Sequence, residues 1–223
     1  HYANVLCDLV RFQLEGLENL DRSLCYNGVH FDAQGMRNDC QYFEEQFVRR
    51  QEVPYSPTEL HRDFDLLVAF LKEADCNFFC YRDFQARNIL IKDGKLFYID
   101  YQSGRQGPLQ CDVASLLFQS QAKIPDRDRE DLLAGYLEEL CSRSDIVQER
   151  FKEYYYGFVV LRLMQVLGAY GKLGLGLGKQ YFREGIPSAV LNLQTVVQAY
   201  GLAIAAPELV RLIGSLPVME DIS

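Results

Sequence analysis

Apolar side chains recur at close to a helical period over residues 4–20, at Val5, Leu6, Leu9, Val10, Phe12, Leu14 and Leu17, and this spacing predicts an amphipathic helix. The turn-rich stretch DRSLCYNGVHFDAQG, 21–35, reads as loop. A second amphipathic helix fits MRNDCQYFEEQFVRR, 36–50. After the proline-punctuated EVPYSPTE, Ser56 and Pro57 are placed to start a helix over 57–74, with Leu60, Phe64, Leu67, Val68 and Leu71 as its buried stripe. The pattern then changes to short aromatic or β-branched runs, NFFCY at 77–81, NILIKD at 88–93 and KLFYID at 95–100, and Asp93-Gly94 between the last two predicts a hairpin turn. From residue 112 the helical period returns, over 112–121, 127–142, 146–170, 187–204 and a short 207–214. The predicted class is α+β, mostly helical, with a small β-hairpin in the middle where the polar residues concentrate.

Two Arg-Asp motifs stand twenty residues apart, HRDF at 61–64 and YRDF at 81–84. Moving a phosphoryl group from a nucleotide to a hydroxyl needs a carboxylate near the acceptor oxygen and oxygen ligands for Mg2+ across the phosphates. The second motif has that layout. Asp83 lies in a loop between strands, Asn88 follows five residues on, and Asp100 ends the second strand of the hairpin. The first motif lacks it: Val68 stands five residues after Asp63, and HRDFDLLVAF continues as a helix on which Asp63 and Asp65 read as solvated polar positions.

Composition narrows the field. The 223 residues carry a formal charge of −8, with 31 acidic and 23 basic side chains, which disfavours non-specific nucleic-acid binding. Hydrophobic residues make up 48%, with 14 Phe and 14 Tyr, enough for a packed core. Seven cysteines without a CxxC pair and only three histidines suggest neither a disulfide scaffold, a zinc site nor a histidine triad; reduced thiols in a cytoplasmic protein are expected. No uninterrupted apolar run looks long enough to span a bilayer, so no membrane partner is expected.

YRDFQARNIL and FYIDYQ together resemble the catalytic core of the aminoglycoside phosphotransferase and choline kinase superfamily, whose C-terminal lobe shares the protein-kinase fold. The resemblance runs over roughly 36–204 and is sharpest across 80–118. It implies that Asp83 is the catalytic base and that Asn88 and Asp100 bind Mg2+ with ATP. It also implies that Asp112, in QCDVASLL, braces the catalytic loop by accepting backbone N–H bonds, as a first-turn carboxylate favours in any case. Tyr81 stands where many relatives have His, at a position that orients the loop. Protein kinases follow the metal Asp with Phe-Gly and a long segment ending in Ala-Pro-Glu. Here DYQSG follows and eleven residues separate Asp100 from Asp112, so a small-molecule hydroxyl acceptor is expected rather than a peptide. Within the superfamily, LRLMQVLGAYGKLGLGLGKQYFREGIPSAVLNL, 161–193, resembles bacterial sugar kinases of the N-acetylmuramate and N-acetylglucosamine type. An aminoglycoside antibiotic is the alternative acceptor, and a non-catalytic binding module on the same fold is the alternative class.

Arg82 is expected to tie the loop down rather than touch substrate. Gln102 and Arg105 lie just beyond the metal Asp; Arg105 is either a phosphate or substrate contact or a surface arginine in a turn. Asp39 is carried as an acceptor-site candidate, although solvated helix charge is the simpler account of it and of Glu45. GKLGLGLGK at 171–179 fails as a Walker loop: Gln180 follows Gly178-Lys179, Leu173 occupies the first glycine position, and a helix precedes it, so it reads as a helix end unwinding through glycines. Tyr154-Tyr155-Tyr156 read as core. The expected domain plan is a single kinase-like C-terminal lobe: a helical segment 1–76, catalytic loop and hairpin 77–111, and a helical subdomain 112–223. Residues 4–74 show no strand with a phosphate-covering loop or a clamp lysine, and the chain opens without Met. The N-terminal nucleotide lobe is therefore expected to be missing, and the isolated chain to turn over weakly or not at all.

Overall fold

The computed structural model describes residues 1–18, 20–25 and 28–218. In chain order its elements are α1 (Tyr2–Glu15), α2 (Ala33–Gln46), α3 (Pro57–Leu71), β1 (Phe78–Cys80), β2 (Ile89–Lys92), β3 (Lys95–Tyr98), β4 (Arg105–Gly107), α4 (Gln110–Leu117), α5 (Asp126–Arg143), α6 (Gln148–Tyr170), α7 (Gln180–Glu184), α8 (Ile186–Tyr200) and α9 (Pro207–Ser215). The result is a mostly helical α+β fold with two small antiparallel sheets, β1–β4 and β2–β3. The chain forms two compact units, one of residues 1–32 and 74–155, the other of 33–73 and 156–223.

In the first unit, α1 buries Val5, Leu6, Leu9 and Val10, and Gln13 lies on the same stripe. That buried amide is satisfied: Gln13 Nε2 donates to the Leu109 carbonyl at 2.9 Å, and the Tyr136 hydroxyl donates to Gln13 Oε1 at 2.6 Å. Both partners are needed, because a buried polar group left unpaired costs more than a made bond returns. The β2–β3 hairpin turns on Asp93 and Gly94, at φ 51 and 72, the doubly left-handed turn that Asp-Gly favours. Its register pairs Leu90 with Phe97 and Ile89 with Tyr98. Tyr98 faces inward, stacked on Phe84 with ring centroids 5.7 Å apart and donating to Asp8 Oδ2 at 2.6 Å; burial, and then this bond, push its hydroxyl pKa up. The opposite face, with Leu90, Phe97 and Ile99, is exposed.

Strand β4 has no signal in the sequence. Three residues within SGRQGP have no strand pattern of their own; they are extended because β1 pairs with them, Cys80 opposite Arg105, and because Phe31 N–H and the Val29 carbonyl bond to Gln106 on the other side. Helix α2 likewise starts at Ala33, inside the stretch expected to be loop.

In the second unit, α3 buries the foreseen stripe and is capped by Ser56, whose hydroxyl accepts from Glu59 N–H. Asp63 on this helix departs from its expected solvated position. Asp63 is not solvated; it is 3% exposed, and its Oδ2 accepts from the N–H groups of Glu208 (2.7 Å) and Leu209 (2.9 Å). Helix α9 begins after Ala206, which has no side-chain cap, so Asp63 satisfies the orphan donors of its first turn from another element. Asp65 is exposed as expected and pairs with Arg37. Buried Glu44 on α2 is bound by His61 (2.6 Å), Tyr55 (3.1 Å) and Arg49 (3.2 Å). Burial raises its pKa, but these bonds outweigh that and leave it lowered.

The glycine-rich segment does not unwind. Gly171–Gly176 continues α6 as a wide π turn, and a side chain on Gly171 would place Cβ 2.1 Å from the Gln46 carbonyl oxygen, so close backbone approach requires the glycine. Tyr154 and Tyr155 are core, while Tyr156 stacks on Tyr200 with centroids 3.7 Å apart. The helical stretch 148–176 is, by length and composition, apolar enough to cross a membrane, contrary to expectation. Its most apolar window is 56% buried, which is the pattern of a core helix.

Candidate active site

The loop that follows β1 is shaped by Asp112. This carboxylate, fully buried in the first turn of α4, accepts from Tyr81 N–H at 2.7 Å on Oδ2 and from Arg82 N–H at 2.8 Å on Oδ1. Arg82 is thereby held at φ 73, a left-handed conformation that a non-glycine residue adopts only under constraint. Its guanidinium lies 3.7 Å from the centre of the Phe31 ring, so the side chain is spent on packing and cation–π attraction at the base of the loop. The Cys80 thiol points at Asp112 Oδ1 from 3.9 Å, and its pKa is pushed well up by a hydrogen bond with Cys111, by burial and by the Asp112 charge.

Asp83, next in sequence, is half-buried. Asn88 closes the turn Ala86–Asn88 and is 6% exposed; its Nδ2 donates to the Asp83 carbonyl at 2.9 Å. The Asn88 carbonyl in turn accepts from Ile99 N–H at 3.0 Å, which ties the loop to the segment that carries Asp100. Asp100 is exposed and sits at φ 71, the second constrained non-glycine residue of the site. Gln102 Nε2 donates to Asp100 Oδ1 at 3.0 Å. Across these segments the Tyr81 hydroxyl donates to the Ile99 carbonyl at 2.7 Å. Burial, followed by the charges of Asp100, Asp112, Tyr101 and Asp83, pushes the Tyr81 pKa to about 12, so it remains a donor through the physiological range. Asp83, Asn88 and Asp100 are thus gathered on one connected framework within one unit.

The donor set suits a hard cation. Among the described residues no three His, Cys, Asp or Glu side chains cluster as a metal cage. Mg2+ does not need one, because it is held by one or two carboxylates and completes its octahedron with water and substrate phosphates. With its Nδ2 engaged, the Asn88 amide keeps Oδ1 without a hydrogen-bond donor among the described residues, and so does Asp100 Oδ2.

The remaining candidates are spread more widely. Gln102 is exposed and bound to Asp100, whereas Arg105 is in β4, 9% exposed, with Nε donating to the Ser103 carbonyl at 3.0 Å, and so is not a surface arginine in a turn. Asp39 is half-buried on α2 in the other unit. Two contacts had no signal in the sequence: the Tyr81 latch on Ile99, and Gln119, whose Oε1 accepts from Ala86 N–H at 3.0 Å.

A buried carboxylate braces a loop that carries an aspartate, and an asparagine and a second aspartate are tied to the same hydrogen-bonded framework. The chain belongs to the phosphotransferase enzyme family, whose profile matches residues 7–153. It is 29% identical over 192 residues to the N-acetylmuramate/N-acetylglucosamine kinase of Neisseria meningitidis serogroup B, an alignment that takes in 82% of this chain and 57% of that protein. The chain therefore spans little more than half the length of this relative. The crystal structure of LicA in complex with AMP shares the fold, with a TM-score of 0.56 at 15% identity over 87% of this chain and 62% of that one.

Proposed function

We propose that this chain carries the chemical centre of a small-molecule kinase that transfers the γ-phosphoryl group of ATP to a hydroxyl of a sugar or amino sugar. The observation that carries the reading is the Asn88 side chain, whose Nδ2 is fixed on the Asp83 carbonyl at 2.9 Å while its Oδ1 meets no donor among the described residues, on a loop tied by the Ile99 N–H bond to the segment that carries Asp100. In this reading Asp83 accepts the proton of the acceptor hydroxyl as its oxygen bonds to the γ-phosphorus, and the bond from that phosphorus to the β–γ bridging oxygen breaks to release ADP. Asn88 Oδ1 and Asp100 would hold Mg2+, which neutralises phosphate charge when bound. Asp112 and Arg82 hold the loop in shape, and Gln102 keeps Asp100 turned. The exposed apolar face of Leu90, Phe97 and Ile99 offers a flat surface for the purine of the donor on the same hairpin. Arg105, in the same unit as Asp83 and Asp100, remains a candidate for acceptor contact. The amino-sugar acceptor is supported by the 29% identical relative, named for N-acetylmuramate and N-acetylglucosamine. A cytoplasmic setting, where ATP is available, goes with this reading.

The test is phosphoryl transfer by the full-length protein from γ-labelled ATP to N-acetylmuramate, N-acetylglucosamine, other sugars and aminoglycosides, with and without Mg2+. Transfer to an amino sugar that disappears in Asp83→Ala, with the fold retained, is expected. Transfer confined to aminoglycosides would replace the acceptor class. Wild-type rates in Asp83→Ala would sink the assignment of the base.

A further inference from the structure

The turn Ala86–Asn88 presents a capping problem that its own sequence does not solve. The first N–H of such a turn has no partner within it, and Gln85, in the capping position, makes no side-chain bond to it. The acceptor comes from Gln119, 33 residues away and just beyond the C-terminus of α4, whose Oε1 receives Ala86 N–H at 3.0 Å. Gln119 is itself oriented: its Nε2 donates to the Leu116 carbonyl at 2.8 Å and to the Tyr2 hydroxyl at 3.1 Å, which points its carbonyl oxygen at the loop. Helix α4 therefore grips the loop at two points. Asp112 at its start holds Tyr81 and Arg82, and Gln119 past its end holds Ala86. Asp83 lies between the two grips, and Asn88 ends the turn that the second one caps.

We propose that Gln119 is a positioning residue of this site, capping the turn that carries Asn88 and so fixing the Asn88 amide as a cation ligand. The inference rests on the reading of Asn88 as a metal ligand. Without the cap, Ala86 N–H turns to water and the turn loosens, and Asn88 loses its fixed distance from Asp83 and Asp100. Groups that orient metal ligands from behind cost about 10–100-fold in metal affinity or activity when removed.

Two measurements on the full-length protein test this, neither depending on turnover. Amide hydrogen exchange is followed at Ala86, and Mn2+ binding in the presence of ADP is followed by electron paramagnetic resonance. In Gln119→Leu, exchange at Ala86 should quicken and Mn2+ should bind about tenfold more weakly, while exchange across β3 stays as in the wild type. Gln119→Glu, which keeps an oxygen facing Ala86, should return both readouts toward wild type, and it also serves where the leucine variant folds poorly. Unchanged Ala86 exchange overturns the cap. Faster exchange with unchanged Mn2+ affinity overturns the positioning role. Failure of the kinase reading itself shows separately, as absence of transfer by the wild type or its survival in Asp83→Ala.

Discussion

Asp112 holds two backbone N–H groups with one buried charge, and Arg82 would otherwise relax out of its left-handed conformation. A hydrogen bond to a charged group is worth about 1.5–3 kcal/mol when its loss leaves the partner buried and unpaired. Asp112→Ala is therefore expected to destabilise the protein by about 3 kcal/mol, read by urea unfolding, and to reduce transfer sharply. A stability loss under about 1 kcal/mol would mean that water replaces the carboxylate easily. A second carboxylate makes a pH prediction. Glu208 is lowered from 4.5 to about 2 by the hydrogen bonds from Arg211 and then by the Ser56 N–H. A depressed folded-state pKa contributes stability that is present above the unfolded value and lost as pH falls through the folded one. Stability should accordingly fall between pH 4.5 and about 2, and Glu208→Gln should flatten part of that fall in acid unfolding curves. The lowered Glu44 acts in the same direction, so the slope should shrink without vanishing.

Among the elements, the glycine-rich turn after α6 shows how one residue type answers two demands. Gly171 is required by proximity, with Cβ 2.1 Å from Gln46 O, whereas Gly178 is required by its φ of 67 in otherwise open space. Gly171→Ala must push two backbones apart and should cost about 2–3 kcal/mol in thermal unfolding. Gly178→Ala should cost only the left-handed strain, about 1 kcal/mol; the reverse ranking would contradict the packing account. The legible elements were those whose signal is local. The hairpin could be read because Asp93-Gly94 dictates its turn and alternation dictates its faces, and the spacing of Asp83, Asn88 and Asp100 could be read on the same stretch. Strand β4 could not, since its three residues are extended by a partner 25 or more positions away. Asp63 could not, because it falls on the apolar stripe of α3 and its burial is made tolerable only by α9, 145 residues on. Gln119 was invisible for the same reason: nothing next to it in sequence says that a turn 33 residues earlier lacks an acceptor.

At the scale of the whole molecule, the two Arg-Asp motifs occupy different units and do different work. Each places its aspartate at backbone N–H groups or beside them, but in opposite ways. Asp63, in HRDF, uses its carboxylate on the first turn of α9, so it is committed to stability. Asp83, in YRDF, is half-buried, with its backbone carbonyl gripped by Asn88 and the two residues before it held by Asp112. The consequence is a crossed pair of outcomes in the full-length protein. Asp63→Ala removes a buried helix cap, worth up to about 2 kcal/mol, and should lower Tm by about 5 °C while kcat at a permissive temperature stays within about twofold of wild type, since no step of the proposed reaction uses it. Asp83→Asn keeps the shape of the side chain and should leave Tm within about 1 °C, while on the proposed role of Asp83 transfer falls by at least about a hundredfold, the usual size of a general base's contribution. Differential scanning calorimetry and initial rates on the same two preparations decide the matter. If Asp63→Ala loses transfer at full stability, or Asp83→Asn loses stability at full transfer, the division of labour between the two motifs is wrong.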